Sequence, residues 1–169
     1  MSDFLDDLGA AVPALRRYAR ALTRNADIAD DLVQDCLERA LNKRALWRPT
    51  GTVQAWLFRM LINLYRNDLR SRKRRGPHVP LDAMVVEPAF AAPQPGRVAL
   101  TEMARAIDRL VDEHREALLL VALEGLSYEE AAHALDIPIG TLMSRLSRAR
   151  AALRSLTGEV GEPRLRSVK

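Results

Sequence analysis

A chain of 169 residues holds one ordinary domain or two small ones, and 48% apolar residues dominated by Leu and Ala favour cores packed from helices. The net charge of +4 is unevenly spread: residues 66–75 (RNDLRSRKRR) carry six basic side chains and one acid, residues 141–169 carry seven basic and two acidic, so each stretch is +5 and the remainder is −6. Two basic islands in an acidic chain are the footprint of a protein that meets a polyanion in two places. The longest apolar run, Ala117 to Leu123, is far too short to span a membrane. Cys36 is the only cysteine, which excludes an internal disulfide and suits a reducing compartment. The acidic start MSDFLDDL lacks the basic and apolar regions of a signal peptide, so a soluble cytoplasmic protein is expected.

In chain order, Leu8, Val12, Leu15, Ala19 and Leu22 recur at steps of four and three and predict a first helix. A second is expected to start after TRNAD, with Ala29, Val33, Cys36 and Ala40 in its stripe and Ile28, Leu32, Leu37 and Leu41 beside it. WRPTG at 47–51 breaks the pattern, and a third helix runs from about Thr52 with Val53, Leu57, Met60 and Leu64 inward. Residues 76–96 contain five prolines and two glycines without a helical stripe, which predicts an extended linker. Helical pattern returns near Leu100, where Met103, Ile107, Leu110 and Val111 lead into EALLLVALEGL, and a polar tail follows Gly158. Nothing alternates with period two for long enough to argue a strand.

The segment GLSYEEAAHALDIPIGTLMSRLSRARAALR, residues 125–154, is the most informative. Ser127 with Glu130 fits a capping box, in which the hydroxyl and the carboxylate each satisfy a backbone amide at the helix start. A short helix follows, with Ala131, Ala132 and Leu135 small enough for a close crossing. Asp136-Ile137 makes the turn, and Pro138 suits a first helical position. In the next helix Leu142, Leu146, Ala149 and Leu153 face inward, and Thr141, Ser144, Arg145 and Arg148 lie on the opposite face. That arrangement is a helix-turn-helix whose outward side chains suit guanine edges and phosphates; a plain helical hairpin with a solvated basic face is the alternative.

On the third helix, Arg59, Asn63, Arg66 and Arg70 form one polar face, which Arg72, Lys73, Arg74 and Arg75 extend in charge, with Trp47 and Trp56 flanking the loop that leads in. Cations and rings together suit opened or single-stranded DNA, although Trp56, in AWLF, also reads as core. On the second helix, Asp27, Asp31 and Asp35 share a face with Asp30, Gln34 and Glu38 alongside. Like charges at this spacing weaken a helix. A basic partner surface accounts for them, as would an ordinary solvated face. His114 and His133 stand alone, and no phosphate loop, nucleophile elbow or metal spacing occurs. No catalytic residue, metal or cofactor is expected, and the chain is not expected to be an enzyme.

These stretches, in this order, resemble the sigma-70 superfamily and within it the compact extracytoplasmic-function (ECF) sigma factors, over about residues 10–75 and 102–155. DDLVQDCLERAL resembles the core-polymerase-binding helix, TVQAWLFRMLINLYRNDLRSRKRR the helix that reads and melts the −10 element, and residues 110–153 the domain that binds the −35 element. The resemblance implies an all-α protein of two small helical domains: region 2 over residues 1–75, a flexible proline-rich linker over 76–101, region 4 over 102–158 and a tail over 159–169. It implies that Asp31, Leu32, Gln34, Asp35 and Glu38 meet core RNA polymerase. Trp47, Arg59, Asn63, Arg66, Arg70, Arg72, Lys73 and Arg74 would meet the −10 strand, with a flipped base near the Trp47–Thr52 loop. Thr141, Ser144, Arg145 and Arg148 would enter the −35 major groove. The implied partners are core RNA polymerase, promoter DNA and an anti-sigma factor that covers both domains. Asp136 stands where the family has Gly, Met143-Ser144 replaces a Lys-Ser pair, and VDEH at 111–114 replaces a Pro-containing stretch, which would let the preceding helix run on. A stand-alone helix-turn-helix regulator and a sigma-like interaction protein are the other readings. The first lacks an apolar stripe for a dimer interface, and the second would not need the two basic islands.

Overall fold

The computed structural model describes residues 4–48, 51–75 and 95–158, and among these it is all helical. Helix α1 spans Phe4–Thr23, α2 Ala26–Asn42, α3 Val53–Arg75, α4 Pro95–Asp108, α5 Asp112–Leu118, α6 Tyr128–Leu135 and α7 Ile139–Thr157. A single 3-10 turn, Arg44–Leu46, follows α2, and a π-type turn, Leu119–Leu123, follows α5. Pro49, Thr50 and residues 76–94 of the expected linker lie outside the described residues, as does the tail beyond Gly158.

Helices α1–α3 form a three-helix unit whose core holds most of the predicted set, joined by residues that periodicity alone left aside. Of that set, Val12 is only half-buried and Leu41 is exposed. Leu15, Tyr18, Ala19 and Leu22 of α1 meet Ala29, Val33, Cys36 and Ala40 of α2, with the Tyr18 ring edge-on to Phe58 at 5.1 Å between centroids. Helix α2 starts earlier than expected, at Ala26, because Asn25 caps it by accepting from the Ile28 amide at 3.0 Å. On α3 the expected inward stripe is too narrow. Phe58, Leu61, Ile62 and Tyr65 are also buried, since α3 packs against both α1 and α2 on one side and α6 on the other.

The second unit begins inside the expected linker. Helix α4 opens at Pro95, and a proline fits a first helical position. Its apolar stripe is only partly used: Leu110, just beyond its end, is buried, whereas Met103 and Val111 are exposed. The helix does not run on through residues 111–114, contrary to expectation. Val111 is extended (φ −57°, ψ 140°), Asp112 and Glu113 open α5 with acids in its first turn, and Arg115 reaches back to the Asp108 carbonyl at 3.5 Å. The π-type turn closes with the Glu124 amide on the Leu119 carbonyl at 3.1 Å, and Gly125 then takes the left-handed conformation (φ 69°) that sends the chain into α6.

The capping box is present as predicted: Ser127 accepts from the Glu130 amide at 3.2 Å, and Glu130 accepts from the Ser127 amide at 3.0 Å. Those bonds, the Ser127 amide first, hold the Glu130 carboxyl below its ordinary range. Asp136 makes the turn in left-handed geometry (φ 57°, ψ 48°). Pro138 is the residue before α7 rather than its first member. Leu142, Leu146 and Ala149 are buried and Leu153 partly so, so α6 and α7 form the predicted helix-turn-helix.

The two units share one continuous apolar core and dock on each other, a relationship that periodicity cannot disclose. Helix α3 packs on α6, and the buried Tyr18 hydroxyl of α1 donates to the Glu116 carbonyl of α5 at 3.2 Å. Thr52 donates to Glu130 at 3.2 Å, and Arg17 closes a two-point ion pair on Glu124 at 3.0 and 2.5 Å.

Candidate nucleic-acid interface

The expected −10 side chains line one edge of α3. Arg59, Met60, Asn63 and Asn67 wall a cleft of about 260 Å³ against Lys43 and Trp56. Lys43 and Asn67 were not singled out from the sequence; the turn after α2 and one further helical step bring them there. Trp56 is partly buried, and so is Trp47, and Phe4 packs against both rings at 5.7 Å (Trp47) and 6.1 Å (Trp56) between centroids. Trp47 therefore sits partly inside the core, which leaves it less free to stack on a base than expected.

Arg70, Lys73 and Arg74 are exposed at the end of α3, and Arg72 pairs with Asp68 at 2.8 Å. Arg66 is not free. Its Nε and Nη2 donate to the two carboxylate oxygens of Glu116 at 3.3 and 2.6 Å, and Glu116 is only 3% exposed. The Glu116 bond raises the Arg66 guanidinium further above its already high range. Arg59 pairs with Asp136 at 3.1 Å.

On α7, Thr141 and Arg148 are exposed and Ser144 is half-buried. Arg145 departs from the expected outward face: its side chain is 16% exposed, it pairs with Glu113 at 3.2 Å, and its Nη1 is buried without a partner. A second cleft, of about 420 Å³, gathers Asn63, Arg66 and Arg70 of α3, Glu113 and Glu116 of α5, and Arg145 of α7. Residues expected at two separate promoter elements thus face one space.

The acidic face of α2 is where the spacing put it. Asp31, Gln34, Asp35 and Glu38 are exposed, and Gln34 donates to Glu38 at 3.1 Å. Leu32 does not join them; it is 8% exposed and belongs to the core, so it supports that face from behind. Arg115 escaped sequence reasoning altogether. It is buried, with bonds to Asp112 at 2.7 Å and to the Tyr65 hydroxyl at 3.4 Å. Among the described residues no group of carboxylate, His and Cys side chains could hold a metal, and no helix is long and apolar enough to cross a membrane.

Two helical units, one ending in a basic helix and the other a helix-turn-helix, are the architecture of a DNA-binding protein. Residues 8–62 match the family described as the Sigma2 domain of PhyR, and residues 100–153 match Sigma-70, region 4. The chain is 44% identical over 154 residues to the ECF RNA polymerase sigma factor EcfG of Rhodopseudomonas palustris (strain TIE-1), covering 89% of this chain and 83% of that one. It is 33% identical over 134 residues to the ECF RNA polymerase sigma-E factor of Escherichia coli (strain K12), covering 73% and 70%. The sigma factor RpoE of Bartonella quintana, solved in complex with the anti-sigma factor NepR, is 34% identical with a TM-score of 0.77 over 96% of this chain and 100% of that one. CnrH, solved with the cytosolic domain of CnrY, is 27% identical with a TM-score of 0.68 over 93% and 88%. The chain belongs to the ECF RNA polymerase sigma factors, the class that confers promoter specificity on core RNA polymerase.

Proposed function

We propose how the duties of such a factor are divided over this chain. Asp31, Gln34, Asp35 and Glu38 dock on core RNA polymerase. Arg59, Asn63, Arg66 and Arg70, with Lys73 and Arg74 extending their charge, hold the opened −10 strand beside the Trp56 cleft. Thr141, Ser144, Arg145 and Arg148 read the −35 major groove. The chain catalyses nothing itself; the polymerase supplies the chemistry, and the cytoplasm is where the two meet. An anti-sigma factor controls it. The match to RpoE of Bartonella quintana, a chain solved with NepR, runs across both units and supports that partner.

The observation that carries this reading is the polar edge of α3, where Arg59 and Asn63 stand with Trp56 on one open cleft. A cation, an amide and a ring suit an unpaired nucleotide, whose phosphate, base edge and face need those groups. Run-off transcription with purified core polymerase on a pooled library of −35/−10 variants tests it. Discrete starts that appear only with the protein, and that weaken with Arg59→Ala or Asn63→Ala at the −10 positions, are expected. Starts that ignore both substitutions would overturn the assignment of α3.

A further inference from the structure

Three of the arginines assigned to DNA are each held by an acid of the C-terminal unit. Glu116 takes Arg66 with both carboxylate oxygens, Asp136 takes Arg59, and Glu113 takes Arg145. Glu113 and Glu116 are three residues apart, hence neighbours on one face of α5, and they reach arginines of two different units across the same cleft. A carboxylate gripped by both nitrogens of a guanidinium offers the geometry a phosphate offers. The leftover Nη1 of Arg145, buried without a partner, belongs to a cation that a single carboxylate does not satisfy.

The geometry points to internal DNA mimicry: in the free chain the acids of α5 and of the 136 turn occupy phosphate positions and mask Arg59 and Arg66 of the −10 face and Arg145 of the −35 face. Arg70, Lys73, Arg74 and Arg148 stay exposed. The inference rests on the DNA assignment made above and deepens it. The Arg66–Glu116 pair is mostly removed from water, so DNA must displace a desolvated carboxylate rather than a solvent-screened one. The Tyr18–Glu116, Thr52–Glu130 and Arg17–Glu124 contacts keep the two units in register around it. Parting the units between α3 and α5 breaks the Arg66–Glu116 and Arg59–Asp136 pairs in one event, whereas the Glu113–Arg145 pair lies within the second unit and must open separately.

The test compares Glu116→Gln/Asp136→Asn with a charge-matched control, Asp6→Asn/Asp7→Asn, whose sites lie in the first turn of α1. The probe is a 20-nucleotide single-stranded DNA of random sequence titrated with the free full-length chain over a range of salt. Freeing Arg59 and Arg66 adds two phosphate contacts, so the masked-acid variant should bind about tenfold tighter at low salt. Its log–log salt slope should be steeper than the control's by about 1.4. Equal affinity and slope in variant and control would overturn the mask. Should Glu116→Gln disturb the buried core, Asp136→Asn alone still reads, since Asn tolerates the left-handed backbone there and the Asp136 side chain is 72% exposed; about half the slope change is then expected. Run-off transcription with Arg66→Ala separates this inference from the one beneath it. Lost transcription with no gain from the acid variants sinks only the mask, whereas normal transcription sinks the DNA assignment of Arg66 and the mask with it.

Discussion

The Tyr18 hydroxyl on α1 and the Glu116 carbonyl on α5 are hydrogen-bonded at 3.2 Å although 98 residues separate them, and the tyrosine ring is completely buried. The bond fastens the first unit to the backbone of the residue whose side chain holds Arg66. Tyr18→Phe keeps the ring and its edge-on contact with Phe58 but removes this buried bond, leaving the carbonyl with the Leu119 amide alone. A loss of about 1–2 kcal/mol is expected in equilibrium denaturation. A wild-type midpoint and slope would show that the Leu119 amide alone satisfies the Glu116 carbonyl and that the hydroxyl adds nothing.

Cys36 is buried, its thiol directed at the Leu57 carbonyl at 3.5 Å, and burial pushes its pKa up from 9.0 to about 12. Two consequences follow for its chemistry. A thiol reagent at neutral pH should label the native chain no faster than the chain unfolds. The folded state binds this proton more tightly than the unfolded state, so the stability it contributes is complete below pH 9 and is lost as pH rises toward about 12. Denaturation midpoints of wild type and Cys36→Ala across this range check it: the wild type should lose stability faster. Parallel curves would be the contrary result.

Ser127→Ala removes the acceptor for the Glu130 amide and half of the reciprocal cap on the helix-turn-helix. About 1 kcal/mol should be lost. The partner acid adds a pH signature: the lowered Glu130 pKa means its contribution is present above the ordinary carboxyl value of 4.5 and fades as pH falls through the folded value. The difference between wild type and Glu130→Gln should accordingly shrink below pH 4.5. Thermal melts at pH 7 and at pH 3.5 measure both, and a gap of undiminished size at the lower pH would contradict the assignment.

Charge reversal at Asp31 and Asp35 should abolish capture of core RNA polymerase while leaving the melting temperature near wild type, because both side chains are exposed. Co-purification with core polymerase decides this directly. Retained binding would move the polymerase contact elsewhere on the first unit.

Arg148 and Arg145 should behave differently on α7. Arg148 is exposed, and its loss should weaken binding to all −35 sequences alike if it holds a phosphate. Arg145→Ala should cost roughly 1–3 kcal/mol of discrimination at one base pair if it grips a guanine edge. Binding of the polymerase-bound factor to −35 variants distinguishes the two, and a uniform loss for Arg145→Ala would make it a phosphate contact as well.

Much of this was legible in the sequence because it is local. The α1 and α2 stripes, the Ser127–Glu130 box and the left-handed turn at Asp136 depend on residues within four positions of one another, where spacing and chemistry leave few choices. The pairs Arg66–Glu116 and Arg59–Asp136 span fifty residues or more, and periodicity carries no information about which helix will lie across which. Phe58, Leu61 and Ile62 held the missing hint: α3 is apolar around more of its circumference than one three-helix core requires. The acids at 112, 113 and 116 were a second hint. Asp112 and Glu113 stand in the very stretch, VDEH, where the chain departs from the usual Pro-containing sequence, and they open a new helix where a continuous one was expected, with Glu116 one turn further on.

The order of the chain adds a matter of timing. The basic end of α3 is complete at Arg75, about forty residues before Glu116 is made. At roughly 5–20 residues per second, the nascent first unit waits about 2–8 s with Arg59 and Arg66 uncovered. Ribosomal and messenger RNA are the nearest polyanions during that interval. Every new molecule therefore passes through a brief window in which Arg59 and Arg66 face nucleic acid without the carboxylates of Asp136 and Glu116.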